Sequence, residues 1–283
     1  MAKSLTTKRP RRASKARPQA SKRARGSGKA GRDASAALVL DDGTVFLGRG
    51  AGAAGRSVGE VCFNTSMTGY QEILTDPSYA GQIITFTFPH IGNVGANPED
   101  VETTTPFVRG LVMRADITAA SNFRAAGHFD AWLKSHGLIA LTGIDTRALT
   151  RAIRERGAPR GALAHDPKRR LDLDALGKVA KGWPGLEGMD LAIDVTCRQT
   201  YSWQETGWRM GQGFGRLSKP MRHVVAIDYG VKRNILRSLA GLGCKVTVVR
   251  ADAAAEDILA HKPDGIFLSN GPGDPAATGR YAA

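Results

Sequence analysis

Short apolar runs separated by turn signals characterise the first part of the chain. The stretch "ALVLDDGTVFLG" has an Asp-Gly pair between two apolar segments, which predicts a β-hairpin. Further strands are predicted where β-branched and aromatic residues cluster, at 61–64, 83–88 and 108–113. This part of the chain is therefore expected to be rich in short strands.

Helical spacing then appears in "DTRALTRAIRERG". Asp145 is placed to cap the first turn, Leu149 and Ile153 are four residues apart, and Gly157 ends the run. Together with the strands, this helix predicts a mixed α and β domain over residues 36–195.

Residues 223–283 show a different pattern, in which the apolar runs "HVVAIDYG", "CKVTVV" and "GIFLSN" alternate with the helical runs "VKRNILRSLAGLG" and "AEDILAHKPDG". The apolar face of the first of these helices is predicted to carry Ile235, Leu236, Leu239 and Leu242. Near-continuous apolar strands joined by helices predict parallel strands covered on both faces, the start of a doubly wound α/β sheet. Residues 196–222 lack periodicity and contain several glycines, so they are predicted as a linker.

Ligands of such sheets bind outside the carboxyl ends of the strands, where right-handed crossovers bring Asp228 and Asn270 to one edge. The loop "NGPGDP" lies at this edge. Gly271 and Gly273 have no Cβ and allow close backbone approach, while Pro272 stiffens the segment between them. Such a loop can direct N–H groups at a carboxylate or a developing oxyanion, and a purely structural turn is the alternative.

A second glycine pattern, "GAGAAG" at Gly50, Gly52 and Gly55, formally matches the dinucleotide fingerprint. That fingerprint requires a helix directly after the loop, and "RSVGEVCF" here predicts a strand instead. A flexible connection between two strands is therefore the favoured interpretation.

The charge is concentrated at the N-terminus. Residues 1–32 hold twelve Lys or Arg and no acidic residue, and removing these from the formal net charge of +14 leaves +2. Residues 1–35 are predicted to be a disordered basic tail, interpreted as an inert solvated extension or an over-long start, with weak nucleic-acid binding and a transit peptide as alternatives. Against the transit peptide, Leu5 is the only large aliphatic residue of the tail beyond Met1.

The three cysteines, Cys62, Cys197 and Cys244, are isolated and show no CxxC spacing. This predicts neither zinc binding nor a disulfide framework, and it favours a reducing, cytoplasmic location. No stretch approaches the roughly 18 consecutive apolar residues that a membrane-spanning helix needs, so no membrane partner is expected.

The stretch "GEVCFNTSMTGYQEILTDPSYAGQIITFTFPHIGNVG", residues 59–95, resembles the small, glutamine-hydrolysing subunit family of carbamoyl-phosphate synthase. The resemblance continues through "GIDTRALTRAIRERGAPRGAL", "AIDYGVKRNILR" and "PDGIFLSNGPGDP", and it covers about 36–280. It implies an N-terminal domain that contacts the large synthetase subunit, followed by a class I glutamine amidotransferase domain.

The resemblance also implies the chemistry. A cysteine thiolate activated by a histidine–glutamate pair attacks the amide of L-glutamine, and ammonia passes through an internal tunnel to the large subunit. ATP, bicarbonate and a divalent metal are used there, so no cofactor is expected on this chain. The implied setting is a cytoplasmic heterodimer that serves arginine and pyrimidine synthesis.

By resemblance, Ser78 extends toward glutamine, Gly271 supplies an oxyanion donor and Gly273 lines the same loop. Plain turn roles are the alternatives for all of them. His90 in "FPHIGNVG" is predicted to be a hydrogen-bonded structural histidine rather than a general base.

The family's nucleophilic cysteine and its partners are expected beyond the end of this chain, which predicts a C-terminally truncated subunit without glutaminase activity. None of the cysteines present stands in an elbow-like setting, and Cys244 is predicted in a buried strand. The alternative is a non-catalytic fragment that only docks on the large subunit. Translating the DNA downstream of Ala283 distinguishes the two.

Overall fold

The computed structural model describes residues 34–282. Residues 1–33, most of the predicted tail, lie outside this range. Ser35 belongs to the fold, since its N–H donates to the Gly48 carbonyl at 3.0 Å and its carbonyl accepts from the Asp166 N–H at 2.8 Å. The first domain thus begins slightly before the predicted boundary at 36.

Within residues 34–282, seven strands of the first domain close into a barrel in the order β1-β2-β6-β5-β4-β3-β7. These strands are β1 Ala36–Leu40, β2 Val45–Gly52, β3 Gly55–Asn64, β4 Gln82–Phe86, β5 Gly110–Val112, β6 Ile139–Thr142 and β7 Arg160–His165. Strands β3 to β6 run parallel to one another, and β1 closes the barrel by antiparallel pairing with β2 and β7. The predicted hairpin is β1-β2.

The helices of this part of the chain are α1 Tyr70–Thr75, α2 Phe129–Ser135, α3 Thr146–Arg156, α4 Leu173–Gly182 and α5 Ala192–Val195. The helices α1, α2 and α4 pack on the outside of the barrel strands, α3 packs against the side chains inside the barrel, and α5 packs against the second domain. The helix predicted at 145–157 is α3: the Asp145 carboxylate accepts from the Ala148 N–H at 3.0 Å, and Gly157 ends the helix with a φ of 89°. Leu149 and Ile153 are both buried against the strands, as their spacing predicts.

The strands β4 and β5 are shorter than predicted. The run 83–88 ends as a strand at Phe86, because its last partners are Asn64 at the end of β3 and Val112 at the end of β5. The run 108–113 pairs only over Gly110–Val112.

The glycines of "GAGAAG" serve packing between strands. Strand β3 follows directly, as predicted, so no helix opens there. A Cβ on Gly50 would lie 2.0 Å from Cδ2 of His165, whose ring is held by a 3.0 Å contact of Nδ1 with the Ala53 carbonyl. A Cβ on Gly52 would lie 2.2 Å from the Leu138 carbonyl oxygen. The connection is therefore tightly packed rather than flexible.

The second domain has the predicted parallel sheet. Its strands are β11 Arg222–Asp228, β12 Cys244–Arg250 and β13 Gly265–Leu268, with β11 in the centre. The helices α6 Arg233–Gly241 and α7 Ala255–Ala260 connect them. A 3₁₀ turn, Pro275–Thr278, and α8 Gly279–Ala282 follow. The α/β architecture expected from the sequence is confirmed.

The segment 196–222 differs from the predicted linker. It contains β8 Tyr201–Trp203, β9 Glu205–Arg209 and β10 Gly213–Arg216. Strand β8 adds to the sheet antiparallel to β12, and β9 pairs with β10 in a hairpin beside α6. The glycines of this segment suggested a linker, but its aromatic side chains pack against the second domain.

The apolar face predicted for α6 differs from the observed one in two residues. Leu242 lies beyond the helix and is 73% exposed, whereas Arg237 is buried. Its guanidinium donates to Glu205 Oε1 at 2.8 Å and lies 3.7 Å from the ring centroid of Phe214. The hairpin supplies a carboxylate and an aromatic face, which makes burial of this charge possible.

We expect Gly50→Ala to destabilise the first domain by about 1–3 kcal/mol, because the added methyl group must displace the His165 ring. Urea-induced unfolding measures this effect. The matched control is Gly182→Ala at the end of α4, where a Cβ meets nothing within 4 Å. Equal stabilities of the two variants would contradict the packing role of Gly50.

Candidate functional site

The carboxyl ends of the parallel strands are organised by two polar side chains. Asp228 at the end of β11 is buried, and its Oδ1 accepts from the N–H groups of Gly230 and Val231 at 2.9 and 2.7 Å. Ser269, just after β13, accepts from the Tyr229 N–H at 2.9 Å through Oγ. These bonds fix the loops after both strands against each other.

The loop after β13 packs tightly against the protein's own backbone. A Cβ on Gly271 would lie 2.4 Å from the Tyr229 carbonyl oxygen, and one on Gly273, whose φ is 80°, would lie 2.6 Å from the Met189 carbonyl oxygen. Asp274 closes the loop by accepting from the N–H groups of Ala276 and Gly188. The glycines thus have a structural reason to be glycine, apart from any role in ligand binding.

The same loop nevertheless presents unused donors. Among the hydrogen bonds formed within residues 34–282, none uses the N–H of Asn270, Gly271 or Gly273. Pro272, which has no N–H, is buried between them. Backbone N–H groups that have no acceptor within the protein can bind a carboxylate or an oxyanion.

Ser78 comes to this loop from the first domain. It lies in a 3₁₀ turn, Pro77–Tyr79, whose start is capped by the Asp76 carboxylate accepting from the Ser78 N–H at 2.9 Å. Its Oγ accepts from Nδ2 of Asn270 at 2.7 Å. The structure therefore brings together residues that the sequence separates by 192 positions.

Charged groups of the first domain also reach the start of α6. Glu102 is buried; its Oε2 accepts from the Asn234 N–H at 2.9 Å, and its carbonyl accepts from the Arg233 N–H at 3.4 Å. Lys232 Nζ lies 3.5 Å from Asp76 Oδ2. A carboxylate at a helix N-terminus satisfies free N–H groups and interacts favourably with the helix dipole.

The β9-β10 hairpin forms a further contact between the domains. Trp208 Nε1 donates to Glu99 Oε2 at 2.9 Å, and the Arg124 guanidinium lies 4.4 Å from the Trp208 ring centroid. Arg124 also pairs with Asp100. Sequence reasoning missed these residues because the segment of Trp208 was interpreted as a linker.

His90 lies apart from these contacts. It is exposed, and its ring meets Phe88 edge-on at a centroid distance of 5.8 Å. Within the described part of the chain its ring forms no hydrogen bond to another residue, so the structural role predicted for His90 stays a prediction. A role as general base finds no support either.

Two of the three thiols are poorly suited to nucleophilic attack. Burial raises the pKa of Cys62 to about 12, with a smaller contribution from Glu60. Burial raises the pKa of Cys197 to about 11, and the nearby Asp228 carboxylate adds to this shift. A raised pKa leaves little thiolate near neutral pH. Cys244 opens β12, a strand whose central residues are buried as predicted, and is itself partly buried.

Two absences apply to residues 34–282. No group of three or more His, Cys, Asp or Glu side chains there is arranged to hold a metal ion. No helix in that range has the length and apolar character required to cross a membrane.

Comparison with protein families identifies both domains. The model of the carbamoyl-phosphate synthase small chain, CPSase domain, matches residues 38–163, and that of glutamine amidotransferase class-I matches residues 225–283. The chain is 64% identical over 248 residues to the carbamoyl phosphate synthase small chain of Ruegeria pomeroyi, covering 88% of this chain and 64% of that protein. The corresponding protein of Bradyrhizobium diazoefficiens is 64% identical over 252 residues, with the same coverage of each chain.

The chain thus spans about 64% of the length of these curated relatives. A solved aminopeptidase from Aneurinibacillus sp. strain AM-1 aligns with a TM-score of 0.27 and 9% identity, covering 82% of this chain and 56% of that one. That similarity is too low to carry an argument.

We expect Cys62 and Cys197 to react with iodoacetamide at pH 8 at least tenfold more slowly in the folded chain than in urea, because their raised pKa values leave little thiolate. Peptide mass spectrometry of timed samples measures the two rates. The unfolded chain, in which every thiol is exposed, is the internal control. Equal folded and unfolded rates at either cysteine would contradict the prediction.

Proposed function

The chain belongs to the carbamoyl-phosphate synthase small chain family, and we propose that it is the glutamine-binding small subunit of a glutamine-dependent carbamoyl-phosphate synthase. In this role it binds L-glutamine and delivers ammonia to a large synthetase subunit for arginine and pyrimidine synthesis. The observation that carries the proposal is the contact of Ser78, from the first domain, with the loop after β13 in the second domain. That loop also presents the backbone N–H groups that have no acceptor within the described residues.

The loop supplies the electrostatic part of amide hydrolysis. When the amide carbon becomes tetrahedral, negative charge develops on its oxygen, and a fixed N–H donor stabilises that charge. Gly271 is the proposed oxyanion donor, Gly273 keeps the loop against the backbone, and Ser78 contacts the substrate from the opposite domain. Exposure of Gly271 beside buried Pro272 is compatible with this role.

The attacking thiol is proposed to lie outside these 283 residues. The burial that raises the pKa of Cys62 and Cys197 opposes thiolate formation, and Cys244 lies at the start of β12, opposite the carboxyl ends of the strands. The chain itself needs no cofactor in this scheme, since ATP, bicarbonate and the divalent metal are used by the large subunit. A fragment that only docks on the large subunit is the competing outcome.

We expect Ser78→Ala to raise the KM for glutamine about tenfold, the effect of losing one hydrogen bond to substrate. The assay uses the small chain as its own gene encodes it, purified with its large subunit, and follows carbamoyl phosphate formation. Synthesis from ammonium salts is the control and stays unchanged, because it bypasses the glutamine site. A complex that makes no carbamoyl phosphate from glutamine, with or without Ser78, would refute the proposed function.

We expect a purified polypeptide of residues 1–283 alone to release no ammonia from glutamine, because burial opposes thiolate formation at Cys62 and Cys197, and Cys244 lies at the end of the sheet opposite the proposed site. Coupled oxidation of NADPH by glutamate dehydrogenase measures ammonia directly. Addition of ammonium chloride at the end of the run checks that the coupling enzyme works. Ammonia release that disappears in a Cys197→Ser or Cys244→Ser variant would place the nucleophile within these residues and overturn the proposal.

A further inference from the structure

The side chain of Asn270 touches both domains through a single atom. Its Nδ2 lies 2.7 Å from Ser78 Oγ and 2.9 Å from the Gly230 carbonyl oxygen. An amide nitrogen carries two hydrogens, so these two contacts use both of them. The sequence pattern placed Asn270 at the ligand-binding edge of the sheet, but neither the pattern nor the resemblance to the family gave its side chain a role.

The Gly230 carbonyl fixes the orientation of the amide. A carbonyl oxygen only accepts, so the group 2.9 Å away must be the nitrogen of Asn270 and not its oxygen. The opposite orientation would place two oxygens against each other. Because the same nitrogen faces Ser78, the Ser78 hydroxyl must accept the second bond.

This orientation leaves the oxygen of the Asn270 amide without a hydrogen-bond partner in the described part of the chain. Asn270 Oδ1 is buried and has no hydrogen-bond partner within residues 34–282. Leaving a buried acceptor unsatisfied costs about 1–3 kcal/mol, which the two bonds donated by Nδ2 must offset. The two bonds made by Nδ2 therefore decide how the side chain is held.

The neighbouring backbone keeps these groups in place. Gly230 has a φ of 125°, and a Cβ there would lie 3.1 Å from Cδ of Pro272 and 3.2 Å from Cβ of Pro77. Two proline rings from different domains thus meet at a glycine. This close approach holds Ser78 and Asn270 at a fixed separation.

As an acceptor from Asn270, the Ser78 hydroxyl retains its own hydrogen. The structure shows no acceptor for this hydrogen in the part of the chain that it describes. The hydroxyl is therefore available as a donor, directed by the bond that Oγ already accepts. A hydroxyl that donates must face an acceptor of the ligand. In glutamine the acceptors are the carboxylate oxygens and the amide oxygen, because neither the ammonium group nor the amide nitrogen accepts a hydrogen bond.

We propose that Asn270 is a positioning residue that holds the Ser78 hydroxyl as a hydrogen-bond donor to an oxygen of L-glutamine. The inference rests on the proposed function, because it takes glutamine as the ligand of Ser78. Asn270 acts through Ser78 and does not itself contact the reacting atoms. The competing explanation is that Asn270 only ties Gly230 to the loop.

A double-mutant cycle separates these explanations. Asn270→Asp keeps the shape of the side chain but replaces the donor with an acceptor, so the Ser78 hydroxyl turns toward the carboxylate and away from glutamine. The assay uses the small chain as its own gene encodes it, in complex with its large subunit. Asn270→Asp should raise the KM for glutamine about tenfold, the effect of one hydrogen bond, with a smaller change in kcat.

In the Ser78→Ala background the same substitution should change KM by no more than about twofold, because the hydroxyl through which it acts is gone. An equal effect on KM in both backgrounds would show that Asn270 acts only by tying Gly230 to the loop, and it would overturn the proposal. The matched control is Asn122→Asp, which adds the same charge on an exposed loop where Oδ1 already accepts from the Arg124 N–H. It should leave KM unchanged.

A measurement without glutamine distinguishes failure of this proposal from failure of the proposed function. The side-chain amide protons of Asn270, followed by ¹H–¹⁵N NMR, should shift in Ser78→Ala if the bond to Oγ exists. A shift together with an unchanged KM in Ser78→Ala would show that the bond exists but that glutamine does not bind Ser78, which contradicts the proposed function. No shift would overturn the positioning role directly.

Discussion

The contact between the first domain and the carboxyl edge of the second sheet is the constraint on which the site depends. A short turn carrying Ser78 meets the loop after β13 across Gly230, where a side chain of any kind would separate the two prolines. Each domain alone offers only part of the proposed binding surface. The first supplies a hydroxyl, and the second supplies backbone N–H groups, so the relative placement of the domains decides whether both reach one ligand.

That placement is held by charged groups whose partners come from the other domain. Glu102 satisfies the start of α6, and the Arg124–Trp208 contact holds the β9-β10 hairpin on the first domain. Arg237 anchors the same hairpin to α6 within the second domain, so the hairpin is held from both sides. Surface ion pairs contribute little on their own, but Glu102 and Arg237 are buried, and loss of one partner would leave the other desolvated and uncompensated.

Much of the fold could be predicted from local patterns, because the deciding signals were local. Asp145 and Gly157 bound α3, and apolar runs mark each parallel strand of the second sheet. The predictions were wrong where the local structure depends on contacts with residues that are distant in sequence. Glycines in segment 196–222 suggested a linker, although Trp208 and Phe214 have partners in other elements, and Arg237 is buried only because those partners exist.

The same reasoning explains why the site was found only in part. Gly271 and Gly273 were recognisable at a strand end, and Ser78 came from family resemblance, since nothing near it in sequence indicates a ligand. The role inferred for Asn270 required the position of the Gly230 carbonyl, because only an acceptor there fixes which amide atom faces Ser78. Hydrogen-bond direction depends on three groups from three segments, and a linear pattern carries no information about such a relation.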